Sequence, residues 1–177
     1  MNRAAKYIWL FSVALFGGAS QVRAANSLDI ELSGELVNTA CQVAAGSLHQ
    51  KITLYNLRWQ LINENGTSAV TPFTIAIDKC SATDLQKSIQ LTWKSSELVT
   101  IGGESFLTTK GDSGVVLGLV DHDEKPLVWN KPMTMGDVSV VDGLQQFDFG
   151  VFVRKPATGE ANVGDFSGIV TFQVEYE

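Results

Sequence analysis

Cysteine and histidine are scarce in this sequence, with two residues of each among 177. Zinc fingers and iron–sulfur clusters need several such ligands, so the scarcity argues against both and against a histidine-rich metal site. Basic residues are also outnumbered by acidic ones: the sequence has 13 Lys and Arg but 19 Asp and Glu, which gives a net charge of −6. An acidic chain is repelled by phosphate-rich surfaces, and therefore nucleic acid and anionic lipid are not expected as main partners.

Only one long apolar run occurs, and it lies near the start of the sequence. It covers residues 7–19, follows Arg3 and Lys6, and precedes small and aliphatic residues that fit cleavage after Ala24. This order is typical of a secretory signal peptide, and about 13 apolar residues are fewer than the roughly 20 that span a bilayer. The sequence therefore predicts that residues 1–24 are a signal peptide that is removed on export.

Removal of the signal peptide would change the length and the net charge of the chain. Residues 25–177 remain, which is a chain of 153 residues with net charge −9, since the removed segment carries three basic residues and no acidic one. No second apolar run is long enough to span a bilayer. The exported product is expected in an oxidising compartment, without direct membrane insertion.

The two cysteines, Cys41 and Cys80, both remain in the exported chain. A single disulfide bridge is the simplest assignment in an oxidising compartment. It would close a loop of about 40 residues, which is worth roughly 4 kcal/mol in the chain-entropy model. A redox-active pair is the alternative, but no Cys-x-x-Cys motif is present to support it.

The exported chain is rich in segments typical of β-strands. Leu28, Ile30 and Leu32 alternate with polar residues, which predicts a strand with one apolar face. Further strand-like runs cover residues 51–55, 72–79, 88–93, 114–120, 127–130, 144–153 and 168–176. Clusters of Gly, Asn, Asp and Pro separate these runs, and the spacing predicts an all-β sandwich. One helical turn is predicted near residues 84–89, with Ser81 or Thr83 as its N-cap.

The first and the last predicted strands of the chain each carry an apolar face. The last one alternates Val170, Phe172, Val174 and Tyr176 with polar residues, and the first, around Leu28, precedes the cysteines as a detached segment. Sandwiches normally cover or charge their edge strands, because an open apolar edge invites pairing with another chain. These two strands are therefore candidates for strand pairing beyond an ordinary sandwich.

Two short motifs could indicate chemistry but are better explained as turns. Residues 111–114 match the Gly-Asp-Ser-Gly segment around a protease nucleophile, yet a suitably placed histidine and aspartate are not evident. Residues 121–124 combine acidic side chains with His122, but consecutive residues of a hairpin point in different directions. We predict no enzymatic activity, no catalytic residue, no metal site and no cofactor.

Four ordered segments carry a resemblance to a known family: residues 33–47 with Cys41, residues 72–80 ending in Cys80, residues 147–152, and residues 164–176 with the penultimate Tyr176. Together with the signal peptide and the cysteine spacing, they resemble the pilin subunits assembled by the chaperone–usher pathway of Gram-negative bacteria. The similarity is strongest to subunits of type 1-like fimbriae and spans the whole exported chain.

The resemblance implies an incomplete immunoglobulin-like β-sandwich that lacks its final strand and is completed by a donor strand from another subunit. Residues 25–33 are then the N-terminal donor-strand extension and residues 34–177 the pilin domain. Leu28, Ile30 and Leu32 would enter the groove of a neighbour. The acceptor groove would be lined by the residues Leu36, Val170, Phe172, Val174 and Tyr176.

The resemblance also implies partners and a location. The partners are other pilin subunits, a periplasmic pilus chaperone and the outer-membrane usher, and the destination is a cell-surface fimbrium that contributes to adhesion. Two alternatives stay open. The apolar residues of the extension can pair within their own chain, and the protein can be a stand-alone secreted β-sandwich with a lectin-like binding function.

Overall fold

The computed structural model describes residues 26–31 and 41–177. The described strands are β1 Asn26–Glu31, β2 Gln42–Val43, β3 His49–Thr53, β4 Thr71–Asp78, β5 Ser88–Lys94, β6 Leu98–Ile101, β7 Glu104–Thr108, β8 Val116–Val120, β9 Pro132–Asp137, β10 Gln145–Arg154 and β11 Phe166–Tyr176. The helical elements are α1 Ala45–Leu48, α2 Trp59–Asn65 and a 3-10 turn at Ala82–Asp84. The predicted signal peptide, Leu32 and Leu36 lie outside the described residues.

The strands form two sheets that pack face to face. The first sheet has the order β3-β1-β11-β5-β9, and the second has the order β2-β4-β10-β8-β7-β6. Alternating residues of both sheets point inward to one core, as the period-two pattern of the sequence requires. The all-β prediction is confirmed.

Aromatic side chains from both sheets meet at the centre of the core. Trp93 of β5 meets Phe149 of β10 edge to face, with ring centroids 5.2 Å apart. It also contacts Phe73 of β4 at 5.8 Å and Phe172 of β11 at 5.4 Å. Edge-to-face and tilted pairs add to the stability gained by burial, so this cluster fixes the two sheets against each other.

The disulfide predicted from the sequence is confirmed. Cys41 and Cys80 are bridged, and both are buried. Cys41 directly precedes β2, while Cys80 follows β4, and β2 pairs with β4 in the second sheet. The bridge therefore ties the two-residue edge strand β2 to the end of its partner strand β4.

The strand prediction missed the two-residue strand β2 and also β6, β7 and β9. The hairpin β6–β7 is short, and only its turn at Gly102 and Gly103 was visible as a glycine cluster. Strand β9 contains Pro132 and Gly136, which disfavour strands in a sheet interior. Both residues are tolerated because β9 lies at the sheet edge and pairs with β5 alone.

Two local predictions were wrong in detail. Residues 127–130 were predicted as a strand, but alternation there only places Leu127 and Trp129 inward on an irregular segment. The helical turn lies at Ala82–Asp84 rather than at residues 84–89, and Ser81 caps it through a reciprocal pair with Asp84.

Candidate strand-binding groove

A groove in the first sheet runs between β3 and β11, and β1 of the same chain lies in it. Strand β1 pairs antiparallel with β3 and parallel with β11. Among the described strands, β3 is joined to the rest of its sheet only through β1. Without β1, backbone groups along both β3 and the first half of β11 would lose their partners, which is costly wherever water cannot replace them. The sandwich is therefore completed by this one strand.

The inward face of β1 inserts two aliphatic side chains into the core. Leu28 is 0% exposed and Ile30 is 2% exposed. Leu28 lies opposite Ile52 of β3 and Gly168 of β11, and Ile30 lies opposite Val170 of β11. Burial of two such side chains is worth about 3–6 kcal/mol before the cost of ordering the strand.

Gly168 makes room for the Leu28 side chain. A Cβ atom at Gly168 would lie 2.9 Å from both Leu107 Cδ2 and Leu117 Cδ1, and 3.4 Å from Leu28 Cδ1. The pocket for Leu28 is thus bounded by the second sheet on one side and by a residue without a side chain on the other. A side chain at position 168 would press first on Leu107 and Leu117, and one larger than alanine would also reach towards Leu28.

Substitution of Gly168 by valine should loosen the hold on β1. Overpacking at this point should lower the free energy of unfolding by about 2–3 kcal/mol. Adding Leu28→Ala to Gly168→Val should recover part of that loss, because the two side chains compete for one space. Urea unfolding of the single and double variants measures the coupling.

The matched control for that pair is Gly46→Ala, since a Cβ atom at Gly46 meets nothing within 4 Å. It should leave the unfolding midpoint unchanged. Strictly additive effects of Gly168→Val and Leu28→Ala would contradict the shared pocket.

The structure places the predicted groove residues on β11 as follows. Val170 and Phe172 are buried and face the core, and Val174 and Tyr176 pack against it partly buried. Within its described length β1 pairs with residues 166–171, so only Val170 of this set lies directly beside it. The other three line the continuation of β11, where the strand pairs with β5.

The donor role that the resemblance implies for the extension stays a prediction, because the structure holds one chain. In the single chain, Leu28 and Ile30 fill the groove of their own subunit, which is the alternative considered in the sequence analysis. Sequence reasoning also missed two parts of the site. Strand β3 with Ile52 forms the second wall, and Gly168 shapes the floor. The glycine inside an otherwise apolar strand pattern was the available signal, because such a glycine often marks a close approach.

Tyr176 lies where β11 ends, opposite Ile89 of β5. Its hydroxyl is buried and has no hydrogen-bond partner among the described residues. Burial, assisted by the negative charge of Asp84, raises the pKa of Tyr176 to about 12. A hydrogen bond from the Ser81 hydroxyl is the main cause that lowers the pKa of Asp84, so this carboxylate stays charged at neutral pH. Tyr176 therefore stabilises the sheet through its ring.

Tyr176→Phe should change how the free energy of unfolding depends on pH above pH 10. Because the pKa is about 12 in the folded chain and near 10 in the unfolded chain, the tyrosine's contribution is complete below pH 10 and is lost as the pH rises through 12. The variant should match or slightly exceed the unmodified chain at neutral pH and lose less stability between pH 10 and 12. Urea midpoints measured across this range test it, with Tyr55→Phe as the exposed control. Equal alkaline losses in the Tyr176 variant and the unmodified chain would contradict the prediction.

The two motifs explained as turns in the sequence lie outside the groove. Ser113 of the protease-like segment is buried and hydrogen-bonds locally, with its hydroxyl accepting from the backbone of Val115 at 3.5 Å. His122 is exposed beside Asp123 in an open turn. Across residues 26–31 and 41–177, no cluster of three histidine, cysteine or acidic side chains could hold a metal ion. In the same residues, no helix is long and apolar enough to cross a membrane.

A sandwich of this kind, with an N-terminal strand completing the sheet beside the final strand, has the immunoglobulin-like architecture of chaperone–usher pilins. The P pilus rod subunit PapA is similar with a TM-score of 0.63 at 19% identity, over 78% of this chain and 100% of that one. A subunit in the structure of a chaperone–usher pilus gives a TM-score of 0.66 at 17% identity, over 94% of this chain and 100% of that one.

The chain belongs to the Fimbrial protein family, whose model matches residues 30–177. A major fimbrial subunit of Proteus mirabilis is 24% identical, over 84% of this chain and 80% of its own. The PRS fimbrial major pilin protein of Escherichia coli is 25% identical, over 84% of this chain and 93% of its own. The protein is thus a fimbrial structural subunit, in a family that is generally non-enzymatic.

Proposed function

We propose that this subunit polymerises by donor-strand exchange. Its extension, residues 25–33, adds a strand to the groove of a neighbour, and its own groove accepts the extension of another subunit. This is β-augmentation, in which main-chain hydrogen bonds hold the strand and side-chain pockets select it. The signal peptide, residues 1–24, directs the chain to the periplasm, and the polymer is a cell-surface fimbrium that contributes to adhesion.

The observation that supports this proposal is the dependence of the first sheet on β1. The strand that joins β3 to β11 is held by two buried side chains and by backbone pairing. Once residues 1–24 are removed, it would be attached to the domain on one side only. An identical strand from a neighbour could take its place and restore the pairing of β3 and β11.

Two further partners follow from the same groove. An unfilled groove would expose Leu107, Leu117 and Val170 to water, and exposed apolar surface of this kind promotes aggregation. A periplasmic chaperone is proposed to cover it before assembly. The outer-membrane usher is proposed as the site at which one strand replaces the other.

Deletion of residues 25–33 tests the donor role. When the truncated subunit is expressed with a fimbrial chaperone, it should still bind the chaperone through its open groove but form no polymer. The full-length subunit with the same chaperone is the control. Normal fibres of the truncated subunit would show that the extension is not the donor strand.

A stand-alone binding module is the second candidate, since the in-chain position of β1 gives a complete sandwich. Such a module would work as a monomer and would bind its target equally well when polymerisation is blocked. Analytical ultracentrifugation of the purified subunit with its chaperone removed separates the two functions. Monomers that never assemble at any concentration would favour the binding module.

A further inference from the structure

A cleft of about 580 Å³ opens beside β11, on the edge of the strand that faces away from β1. It lies where the pairing of β11 with β5 ends, because the last pair is Thr171 with Lys94. Further along the same edge, Ser167 pairs with Lys110 in an isolated bridge. The cleft is therefore a gap in the sheet between two paired positions of β11, and Ile169 lies at the middle of the gap.

The main chain of Ile169 points into this gap. Ser88 and Glu177 exchange both backbone hydrogen bonds, so every second residue of β11 counted from Glu177 directs its N–H and C=O toward β5. Ser167 belongs to this series and exchanges both bonds with its own partner at 2.8 Å. Ile169 belongs to it too, yet no described residue pairs with it on this edge. The gap thus offers one main-chain donor and one main-chain acceptor to a ligand.

The wall of the cleft opposite β11 is formed by residues 95–97, which their neighbours hold in place. The side-chain amide of Asn130 donates to Ser95 O at 3.0 Å and accepts from Ser95 N at 3.1 Å. Thr108 donates to Glu97 O from its backbone N–H at 2.9 Å and from its hydroxyl at 3.1 Å. These hydrogen bonds lead the chain away from β11, and the cleft is therefore built into the fold.

The lining of the cleft is polar and carries two cations. It includes Lys94 and Lys110, and none of its described residues is aromatic. Within residues 26–31 and 41–177, neither lysine forms an ion pair with a carboxylate. Three further lining residues carry hydroxyl groups, namely Ser96, Ser167 and Thr171. The site therefore combines positive charge with several groups that can donate and accept hydrogen bonds.

We propose that this cleft binds a carboxylate-bearing saccharide, the chemistry that uronic and sialic acids share. The carboxylate accepts from Ile169 N–H and pairs with the ammonium groups of Lys94 and Lys110. A ring hydroxyl donates to Ile169 C=O, and other hydroxyls meet the hydroxyl-bearing lining residues. The volume of the cleft lies within the range of about 300–1,000 Å³ that is usual for small-ligand sites.

An extended peptide fits this cleft less well than a saccharide. A guest strand would have to run along the edge of β11, but Lys94 and Lys110 already occupy that edge on either side of Ile169. The path from Ser167 to Thr171 is four residues, about 13 Å, which leaves space for one ladder position. A compact ring can fill that space, whereas a strand cannot continue through it.

Two acidic side chains limit the affinity of the site for an anion. Glu97 lines the cleft, and Asp29 of β1 lies beside Ile169 on the other edge of β11. We expect a dissociation constant on the order of 1 mM for a single acidic sugar. Binding by one subunit does not depend on polymerisation. The proposed fimbrium would repeat the site along its length, and multivalency would then raise its avidity.

Titration of the isotope-labelled mature subunit with sodium glucuronate, followed by amide NMR at physiological salt, tests the proposal. The amide signals of Ile169, Ser96 and Lys110 should shift along one saturable curve. Glucose presents the ring without the carboxylate, and acetate presents the carboxylate without the ring. Each should bind at least about 10-fold more weakly than glucuronate. A parallel titration with N-acetylneuraminate shows whether a uronic or a sialic acid fits better.

The double variant Lys94→Gln/Lys110→Gln should weaken glucuronate binding about 5- to 10-fold, because it removes two partly screened charge contacts. Lys94→Arg with Lys110→Arg keeps both charges and should retain binding. The matched control is Lys79→Gln with Lys155→Gln, which removes two exposed lysines outside the cleft. It makes the same change in net charge and should leave the dissociation constant unchanged.

Several results would overturn the saccharide site. They are the absence of a saturable shift at Ile169, equal binding of glucose, equal binding of acetate, and an equal loss in the control pair. A blocked peptide with the sequence of residues 121–124, an acidic turn of this chain, provides the comparison with a protein ligand. Tighter binding of that peptide than of either acidic sugar would assign the cleft to a protein partner instead. Because the titration uses single subunits, its failure is distinct from a failure of donor-strand exchange.

Discussion

Replacing Leu28 by aspartate should lower the free energy of unfolding by about 3–5 kcal/mol and abolish fibre formation. Leu28 is fully buried in the structure, between Gly168 and the side chains of Leu107 and Leu117. None of these neighbours can hydrogen-bond to a carboxylate, so the charge would enter the core without compensation. The same side chain is the proposed donor contact, and hence assembly should fail together with stability.

Two controls separate burial from charge. Leu28→Met keeps the volume and should cost less than about 1.5 kcal/mol. Asp29→Asn changes a charge on the outward face of the same strand and should leave the unfolding midpoint almost unchanged. Urea denaturation and electron microscopy of assembled material measure the two effects. A Leu28→Asp subunit with normal stability would show that β1 does not fill this groove in solution.

Loss of the disulfide should have the second largest effect. The bridge joins Cys41 and Cys80 across 39 positions. In the chain-entropy model, a loop of that size contributes roughly 4 kcal/mol, which is a large fraction of the stability of a domain. The double variant Cys41→Ala/Cys80→Ala should therefore accumulate poorly in the periplasm and unfold at a much lower urea concentration.

Reduction of the unmodified subunit is the control for that variant. Full reduction under denaturing conditions, followed by refolding without oxidant, should give the same low midpoint. If the double variant and the oxidised chain unfold at the same urea concentration, the bridge has no role in holding the edge formed by β2 and β4.

The apolar pattern of the sequence predicted which side chains face inward, but not which strand lies beside them. Period-two alternation identified the buried faces of Leu28, Ile30, Val170 and Phe172, because alternation depends only on local backbone geometry. The partner of a strand depends on contacts that are distant in sequence. For that reason the wall formed by β3 was missed.

The pocket at Gly168 was missed for a similar reason. A glycine within a strand indicates close approach, but the atoms that approach, those of Leu107 and Leu117, belong to the other sheet. Strand β9 was hidden by its Pro132 and Gly136, which are compatible with a strand only at a sheet edge. Edge positions follow from topology, which the pattern of one segment does not contain.

The local sequence pattern predicts that the extension is a strand with one apolar face, but it does not predict whose groove that strand occupies. The same alternating segment fits its own groove in the single chain and would fit a neighbour's groove equally well, since both grooves have the same sequence. Concentration, tether length and the order of binding then determine the occupant. The in-chain strand and the proposed donor strand are thus two uses of one segment.

Photo-crosslinking in assembled fibres tests strand donation most directly. A photoreactive leucine analogue at position 28 should react with the pocket lined by Leu107 and Leu117, and fibres are assembled from equal amounts of light and isotope-labelled subunits. Donation between subunits predicts that about half of the cross-linked peptide pairs combine one light and one labelled peptide, because donors and acceptors pair at random. Cross-links found exclusively between peptides of the same label would contradict the account, since they would show that each extension stays in its own chain within the fibre.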